Sequence, residues 1–243
     1  MNTILFDLDG TLLPLDMNQF EKEYFTMLGQ KLKGFLSPEK TIKYVWEATL
    51  DMIINNGEQT NKEAFWKKFC KLADMDYQTC ENIFSDFYNN EYKSISKVTN
   101  PSKHIIEAIK ILKDKGYNLV VATNAIFPLD AIIQRIKWAG LDENDFAFIT
   151  SFEIMHYCKP NVKYYSEILE KIDKKPQDCL MVGNDVEEDL IASKLGIKTF
   201  LIKDYIHNRK NSEYECDFEG NYEDFLNFVI KLPSAKEKVE LEA

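Results

Sequence analysis

Short, unbroken apolar runs punctuate the chain. Thr3-Ile4-Leu5-Phe6 comes first, then Leu119-Val120-Val121-Ala122, Ala147-Phe148-Ile149, Cys179-Leu180-Met181-Val182 and Thr199-Phe200-Leu201-Ile202. They are continuous rather than alternating, the pattern of parallel strands covered on both faces. Helical stripes lie between them. Ile105, Ile109 and Leu112 follow Asn100-Pro101, read as cap and first position, and stop at Gly116. Leu129, Ile132, Ile133 and Ile136 mark a second helix that ends at Gly140. Val162, Tyr165, Leu169 and Ile172 mark a third after Pro160. Val186, Leu190 and Leu195 mark a fourth that ends at Gly196, and Phe225 with Phe228-Val229 a last one. Strand and helix in alternation predict an α/β fold built on a doubly wound parallel sheet.

Residues 16 to 97 break that alternation, because no strand pattern occurs there. Four amphipathic helices are expected instead. Phe20, Tyr24, Met27 and Leu28 carry the first. Ser37-Pro38 starts the second, with Ile42, Val45, Trp46, Thr49 and Ile53 on one face. Thr60 and Glu63 form a capping box for the third, which carries Phe65, Phe69 and Leu72. Cys80, Ile83, Phe84 and Phe87 make the fourth. The expected organisation is a core from residues 1–14 and 98–232, a helical bundle from 15–97 inserted after the first strand, and a flexible tail, 233–243.

A chain of 243 residues has room for both units. Its net charge of −10 repels phosphate backbones, so no nucleic-acid partner is expected, although a local cation or Lys can still accept one small phosphorylated ligand. Five Cys without a Cys-x-x-Cys pair read as free, mostly buried thiols in a reducing compartment. No segment resembles a signal peptide or a membrane span, so a cytoplasmic location and no membrane partner are expected. Oligomeric state stays open.

In an open parallel sheet, ligands bind beyond the carboxyl ends of the strands. The residues that follow these strands are Asp7-Leu8-Asp9-Gly10-Thr11, Thr123-Asn124, Lys159, and Asn184-Asp185 with Asp189. Carboxylates, hydroxyls and one Lys thus converge on one edge. Asp7 and Asp9, two residues apart on a departing strand, can face one cation and one substrate. Gly10 allows a sharp turn, and the Thr11 hydroxyl can support it. The plain alternative is an Asp-Gly turn with no chemistry.

Phe6-Asp7-Leu8-Asp9-Gly10-Thr11-Leu12 resembles the opening motif of the haloacid dehalogenase-like hydrolases, most of which are phosphatases. Ala122-Thr123-Asn124 resembles that family's second motif, Lys159-Pro160 its third, and Val182-Gly183-Asn184-Asp185 with Asp189 its acidic fourth. The inserted bundle matches the position and size of the family's smaller cap. The resemblance implies a Rossmann-like core and a magnesium-dependent phosphohydrolase that attacks through Asp7. Asp9 would serve as acid and base. Mg²⁺ would be held by Asp7, Asp9 through its carbonyl, and Asp185. Gly10, Thr11, Thr123, Asn124 and Lys159 would bind the phosphate, with Asn184 and Asp189 in support. Asn184 stands where many relatives carry Asp, so Asp189 is kept as an alternative metal ligand. Asp9 itself favours phosphate-ester chemistry, since the family's dehalogenases lack it.

The expected substrate is a small phosphorylated metabolite. Sugar phosphates, nucleotides, phosphoglycolate and cofactor phosphates remain open. Two rivals are a phosphomutase of β-phosphoglucomutase type and a non-catalytic phosphate-binding module, the latter disfavoured by intact Asp7, Asp9 and Lys159. His104, His156 and His207 are read as structural or exposed, and Trp46, Trp66 and Trp138 as packing residues.

Overall fold

A computed structural model describes residues 1–236. Six parallel strands form one sheet: β1 (Thr3–Phe6), β2 (Asn118–Val121), β3 (Phe148–Ile149), β4 (Cys179–Gly183), β5 (Lys198–Ile202) and β6 (Phe218–Gly220), in spatial order β3-β2-β1-β4-β5-β6. β1 is central, with Leu5 opposite Val120 on one side and Met181 on the other. Successive side chains of a strand point to opposite faces. Ile4 and Phe6 therefore join Leu180, Val182 and Phe225 on one face, while Leu5 joins Val120, Met181, Tyr164 and Ile168 on the other. Both faces are dry, which is why the strand sequences do not alternate.

The five expected strands are present. The sixth, β6, escaped the sequence pattern because Phe218-Glu219-Gly220 is a polar edge segment with no apolar run. Pairing of Ile202 with Gly220 holds it in place.

Between β1 and β2 lie helices α1 (Met17–Lys31), α2 (Pro38–Ile53), α3 (Asn61–Ala73) and α4 (Tyr77–Asn89), then a 3-10 segment, Glu91–Val98. Asp16 caps α1 by accepting from the Asn18 N–H at 2.9 Å, and Ser37 caps α2. Both halves of the Thr60–Glu63 box are made at the start of α3. Where the chain leaves and re-enters the sheet unit, Leu15 and Thr99 meet in an antiparallel bridge. The apolar interior of the four helices is continuous with one face of the sheet.

The remaining helices are α5 (Lys103–Asp114), α6 (Leu129–Trp138), α7 (Val162–Lys171) and α8 (Tyr222–Lys231). Two local expectations change. The cap of α5 is Ser102, whose hydroxyl accepts from Ile105, rather than Asn100. The stripe from Val186 to Leu195 is not one α-helix but a turn and a short 3-10 helix, Leu190–Leu195. The reason is local competition for backbone groups: the Asp185 carboxylate takes the N–H groups of Glu187 and Glu188 at 2.9 and 2.8 Å. Of the expected tail, residues 237–243 lie outside those described. Ala235 is buried, and its N–H donates to the Lys115 carbonyl at 2.9 Å. Among the described residues no helix is long and apolar enough to cross a membrane.

Candidate active site

The strand ends deliver their residues to one cleft of about 560 Å³, bounded on one side by the carboxyl edge of the sheet and on the other by α1 to α4. Asp7, Asp9, Thr123, Asn124, Asn184, Asp185 and Asp189 all line it. Lys159 lies beneath. Its side chain is wholly buried, and Nζ donates to Asp7 Oδ1 at 2.8 Å and to Asp189 Oδ1 at 2.6 Å. Burial opposes the Lys159 charge, but Asp189 and Asp7 outweigh it and hold its pKa well above the usual Lys value. Burial pushes the Asp7 carboxyl up, against the pull of Lys159.

The loop after β1 is fixed by Asn184. Gly10 has φ +87°, and a Cβ there would meet Asn184 Nδ2 at 2.3 Å. The Thr11 hydroxyl donates to Asn184 Oδ1 at 3.1 Å, and Asn184 Nδ2 donates to the Tyr205 carbonyl at 2.6 Å. Thr11 and Asn184 therefore brace the turn. The Tyr222 hydroxyl donates to the Gly10 carbonyl at 2.9 Å. Thr123 is anchored through its carbonyl, which accepts from Tyr164 and from Thr150 at 2.6 and 2.8 Å. Asn124 ties this loop to the third motif, since its Oδ1 accepts from the Lys159 N–H at 3.2 Å.

Asp189 is the more enclosed of the two acids after β4. Its Oδ1 meets Lys159 and its Oδ2 accepts from the Asp185 N–H at 3.0 Å. Asp185 is more open to the cleft, with Oδ1 capping the following turn and Oδ2 facing Arg209.

Four groups were not foreseen. Arg135 is fully buried and pairs through Nη1 with Asp9 Oδ2, while its guanidinium lies 4.4 Å from the centre of the Phe127 ring. Burial pushes the Asp9 carboxyl up, and Arg135 opposes that rise. Glu188 accepts from Asn124 Nδ2 at 3.1 Å and from Arg209 Nη2 at 3.2 Å. His207 lines the cleft too, and its backbone pairs with the loop at Asp185, so it is not remote from the site. The sequence did hold a signal for Arg135: it sits on the stripe Ala131, Ile132, Ile136 of α6, a charge among buried apolar positions. Arg209 and Glu188 gave none.

Could this site take a divalent cation? Its donors are all oxygens, which suits a hard ion. Six carboxyl groups, Asp7, Asp9, Glu21, Asp185, Glu188 and Asp189, share the cleft region with three cations, Lys159, Arg135 and Arg209, so acidic groups outnumber basic ones. Among the described residues no three acidic, His or Cys side chains form a ready-made cage. Mg²⁺ needs only one or two protein carboxylates, since it keeps waters and takes substrate oxygens. The residues fit.

The family described as haloacid dehalogenase-like hydrolase matches residues 4–202. The chain belongs to the haloacid dehalogenase-like hydrolases. The expected enzyme class, a phosphatase of that family, stands with it. The chain is 22% identical over 229 residues to Pyrophosphatase PpaX of Halalkalibacterium halodurans, covering 91% of each chain. The fold is shared with a HAD phosphatase from Thermococcus onnurineus (TM-score 0.58, 21% identity, 97% of this chain and all of that one). It is shared also with the HAD-hydrolase YfnB from Bacillus subtilis, whose structure bound to magnesium reveals interdomain movement (TM-score 0.56, 19% identity, 95% and 99% covered).

Proposed function

We propose that the chain is a Mg²⁺-dependent phosphatase that cleaves a small phosphorylated metabolite through an aspartyl-phosphate on Asp7. The observation that carries this reading is the Lys159 clamp: Nζ fixes Asp7 Oδ1 at 2.8 Å and, among the described residues, leaves Oδ2 without a side-chain hydrogen bond at the edge of the cleft. That is the arrangement of an oriented nucleophile.

In the first step Asp7 Oδ2 forms a bond to phosphorus and the ester P–O bond breaks. Asp9 gives its proton to the departing oxygen. In the second step water attacks the same phosphorus, Asp9 takes its proton, and the Asp7–phosphorus bond breaks to release phosphate. Asp9 Oδ2 is held by Arg135, while buried Oδ1 has no hydrogen-bond partner among the described residues, so Oδ1 is the oxygen left to carry that proton. The cleft-facing Thr123, with Asn124 beside it and the Gly10-Thr11 turn, would hold the phosphoryl oxygens, and Lys159 would balance their charge. When bound, Mg²⁺ would neutralise phosphoryl charge from ligands on Asp7, Asp185 and the Asp9 carbonyl. Asp185 is preferred over Asp189 because Asp189 is the more enclosed and is held by the buried Lys159, whereas Asp185 Oδ2 meets only the half-exposed Arg209 side chain.

The helices α1 to α4 would act as a cap. The motifs at the sheet edge handle only the phosphoryl group, so selection among substrates would fall to the helical wall. Phosphate release from phosphate monoesters with Mg²⁺, compared between the wild-type chain and Asp7→Asn, tests the reading. Retained turnover in Asp7→Asn removes it.

A further inference from the structure

The helical wall of the cleft is aromatic and nearly uncharged. α1 contributes Phe25, α2 contributes Val45, Trp46 and Ile53, and α3 contributes Phe65 and Trp66. Trp46 is 43% exposed although large and apolar, and its ring lies 5.8 Å from Phe25 at a tilt of 35°. Sequence periodicity assigns Ile42, Val45, Trp46, Thr49 and Ile53 to one face of α2, and all of these but Ile42 line the cleft.

Among the described residues the four helices bring no Lys or Arg to the cleft, and tyrosines aside their single ionisable group there is Glu21. The hydroxyls of Tyr24 and Tyr88 are bonded to each other at 2.9 Å, so they offer little to a third group. Of the cations of the site, Lys159 and Arg135 are buried and engaged by carboxylates at the sheet edge, while Arg209, paired with Asp185 and Glu188, reaches the cleft on the side of Glu21.

These facts bear on the part of the substrate that leaves. A second anionic group pointing at the aromatic part of the wall, on α2 and α3, would lose its water and find no cation there, because His207 and Arg209 lie on the Glu21 side of the cleft. That loss is strongly unfavourable. A polyhydroxylated chain would leave most of its hydroxyls unpaired there. A flat ring would gain stacked or edge-on contacts with Trp46 and Phe25. The volume, about 560 Å³, accommodates a ring-bearing molecule.

We infer, resting on the phosphatase reading above, that the substrate is the monophosphate of an uncharged, ring-bearing, largely apolar alcohol. Pyrophosphate, phosphoglycolate and the bis-phosphorylated intermediate of a mutase all place a second negative charge against the helices. They are therefore poor occupants of this cleft.

The test is phosphate release by the full chain with Mg²⁺ across a panel. Benzyl and 2-phenylethyl phosphate represent the proposed class. Glucose 6-phosphate, phosphoglycolate and pyrophosphate represent the others, and acetyl phosphate serves as a small activated control. Both arylalkyl esters leave as ordinary alcohols, as glucose does, so leaving-group acidity does not decide between them. The arylalkyl esters should exceed glucose 6-phosphate in kcat/KM by about tenfold or more, the discrimination a hydrophobic pocket affords. Trp46→Ala should erase most of that ratio, through KM. Trp46 is half open to the cleft, and a thermal melt confirms that the variant folds. Equal kcat/KM across the panel, or preference for phosphoglycolate or pyrophosphate, overturns the substrate class and leaves the phosphatase reading standing. No phosphate from any compound of the panel, acetyl phosphate included, overturns the phosphatase reading and this inference with it.

Discussion

The guanidinium of Arg135, on α6, pairs with the carboxylate of Asp9, 126 residues earlier in the chain and just beyond β1. Neither group has a comparable partner elsewhere: Asp9 Oδ1 and Arg135 Nη2 are both buried without a hydrogen bond among the described residues. The guanidinium lies over the Phe127 ring, and Asp9 and Phe127 both line the cleft. Arg135 thereby leaves Oδ1 as the unpaired oxygen of Asp9. Arg135→Ala should destabilise the chain by about 3–5 kcal/mol, because it strands a buried carboxylate. Arg135→Met keeps the packing on Phe127 and should recover part of that stability but not the turnover. Urea unfolding with parallel kcat measurements checks both. Full activity in Arg135→Met would show that Asp9 needs no such support.

The acids after β4 predict a split in metal response. EDTA should abolish activity and Mg²⁺ restore it. Asp185→Ala should raise the Mg²⁺ concentration needed for half activity by an order of magnitude or more, since hard cations depend on their few carboxylates. Asp189→Ala should instead release Lys159 and Asp7 from their shared geometry and lower kcat at saturating Mg²⁺. A Mg²⁺ titration of each variant separates them. The reverse pattern would move the metal ligand to Asp189.

Glu188 predicts a pH dependence of stability. Burial pushes its carboxyl from 4.5 up to about 7, with Asp185 and Asp189 adding to the rise and Lys159 and Arg209 opposing it. A carboxyl with a raised pKa in the folded state binds its proton more tightly there than when unfolded. Its contribution is therefore full below the unfolded value near 4.5 and lost as pH rises through about 7. The metal-free protein should lose up to about 3 kcal/mol through this group between pH 4.5 and 8, at about 1.4 kcal/mol per pKa unit. Glu188→Gln should flatten that part of the slope in EDTA. An unchanged slope would show that Glu188 is ionised throughout.

Gly10 predicts a steric effect. Its φ of +87° disfavours any side chain, and a Cβ would strike Asn184 Nδ2 at 2.3 Å. Gly10→Ala should cost about 1 kcal/mol or more for the backbone alone, plus the displacement of Asn184. Adding Asn184→Ala should return the steric share and leave the backbone share. Thermal unfolding of the single and double variants measures the two. Strictly additive losses would mean that the two residues do not touch.

Much of this was legible in the sequence, for physical reasons. β1, β2, β4 and β5 are buried on both faces, so their runs are continuous and easily seen. Local chemistry also showed: the Thr60–Glu63 box forms where its residues fall. Strand ends gather functional groups at one edge, so the sequence alone groups Asp7, Asp9, Thr123, Lys159, Asp185 and Asp189. What escaped depends on distant contacts. Arg209 reaches Asp185 and Glu188 from a loop whose sequence has no periodicity. β6 is held by its neighbour rather than by its own apolar residues. Trp46 reads as packing because helical spacing shows that a face is apolar and not what it faces.

The most direct test of the covalent mechanism is the fate of Asp7 itself. The wild-type chain, mixed with a phosphate monoester and Mg²⁺ and quenched in acid, should yield a phosphorylated peptide containing Asp7. Asp7→Asn, with an unchanged thermal melt, should carry no label and release phosphate at least about a thousandfold more slowly, the scale of losing a nucleophile. Phosphate release near the wild-type rate from Asp7→Asn, or a label on any other residue, would contradict the account.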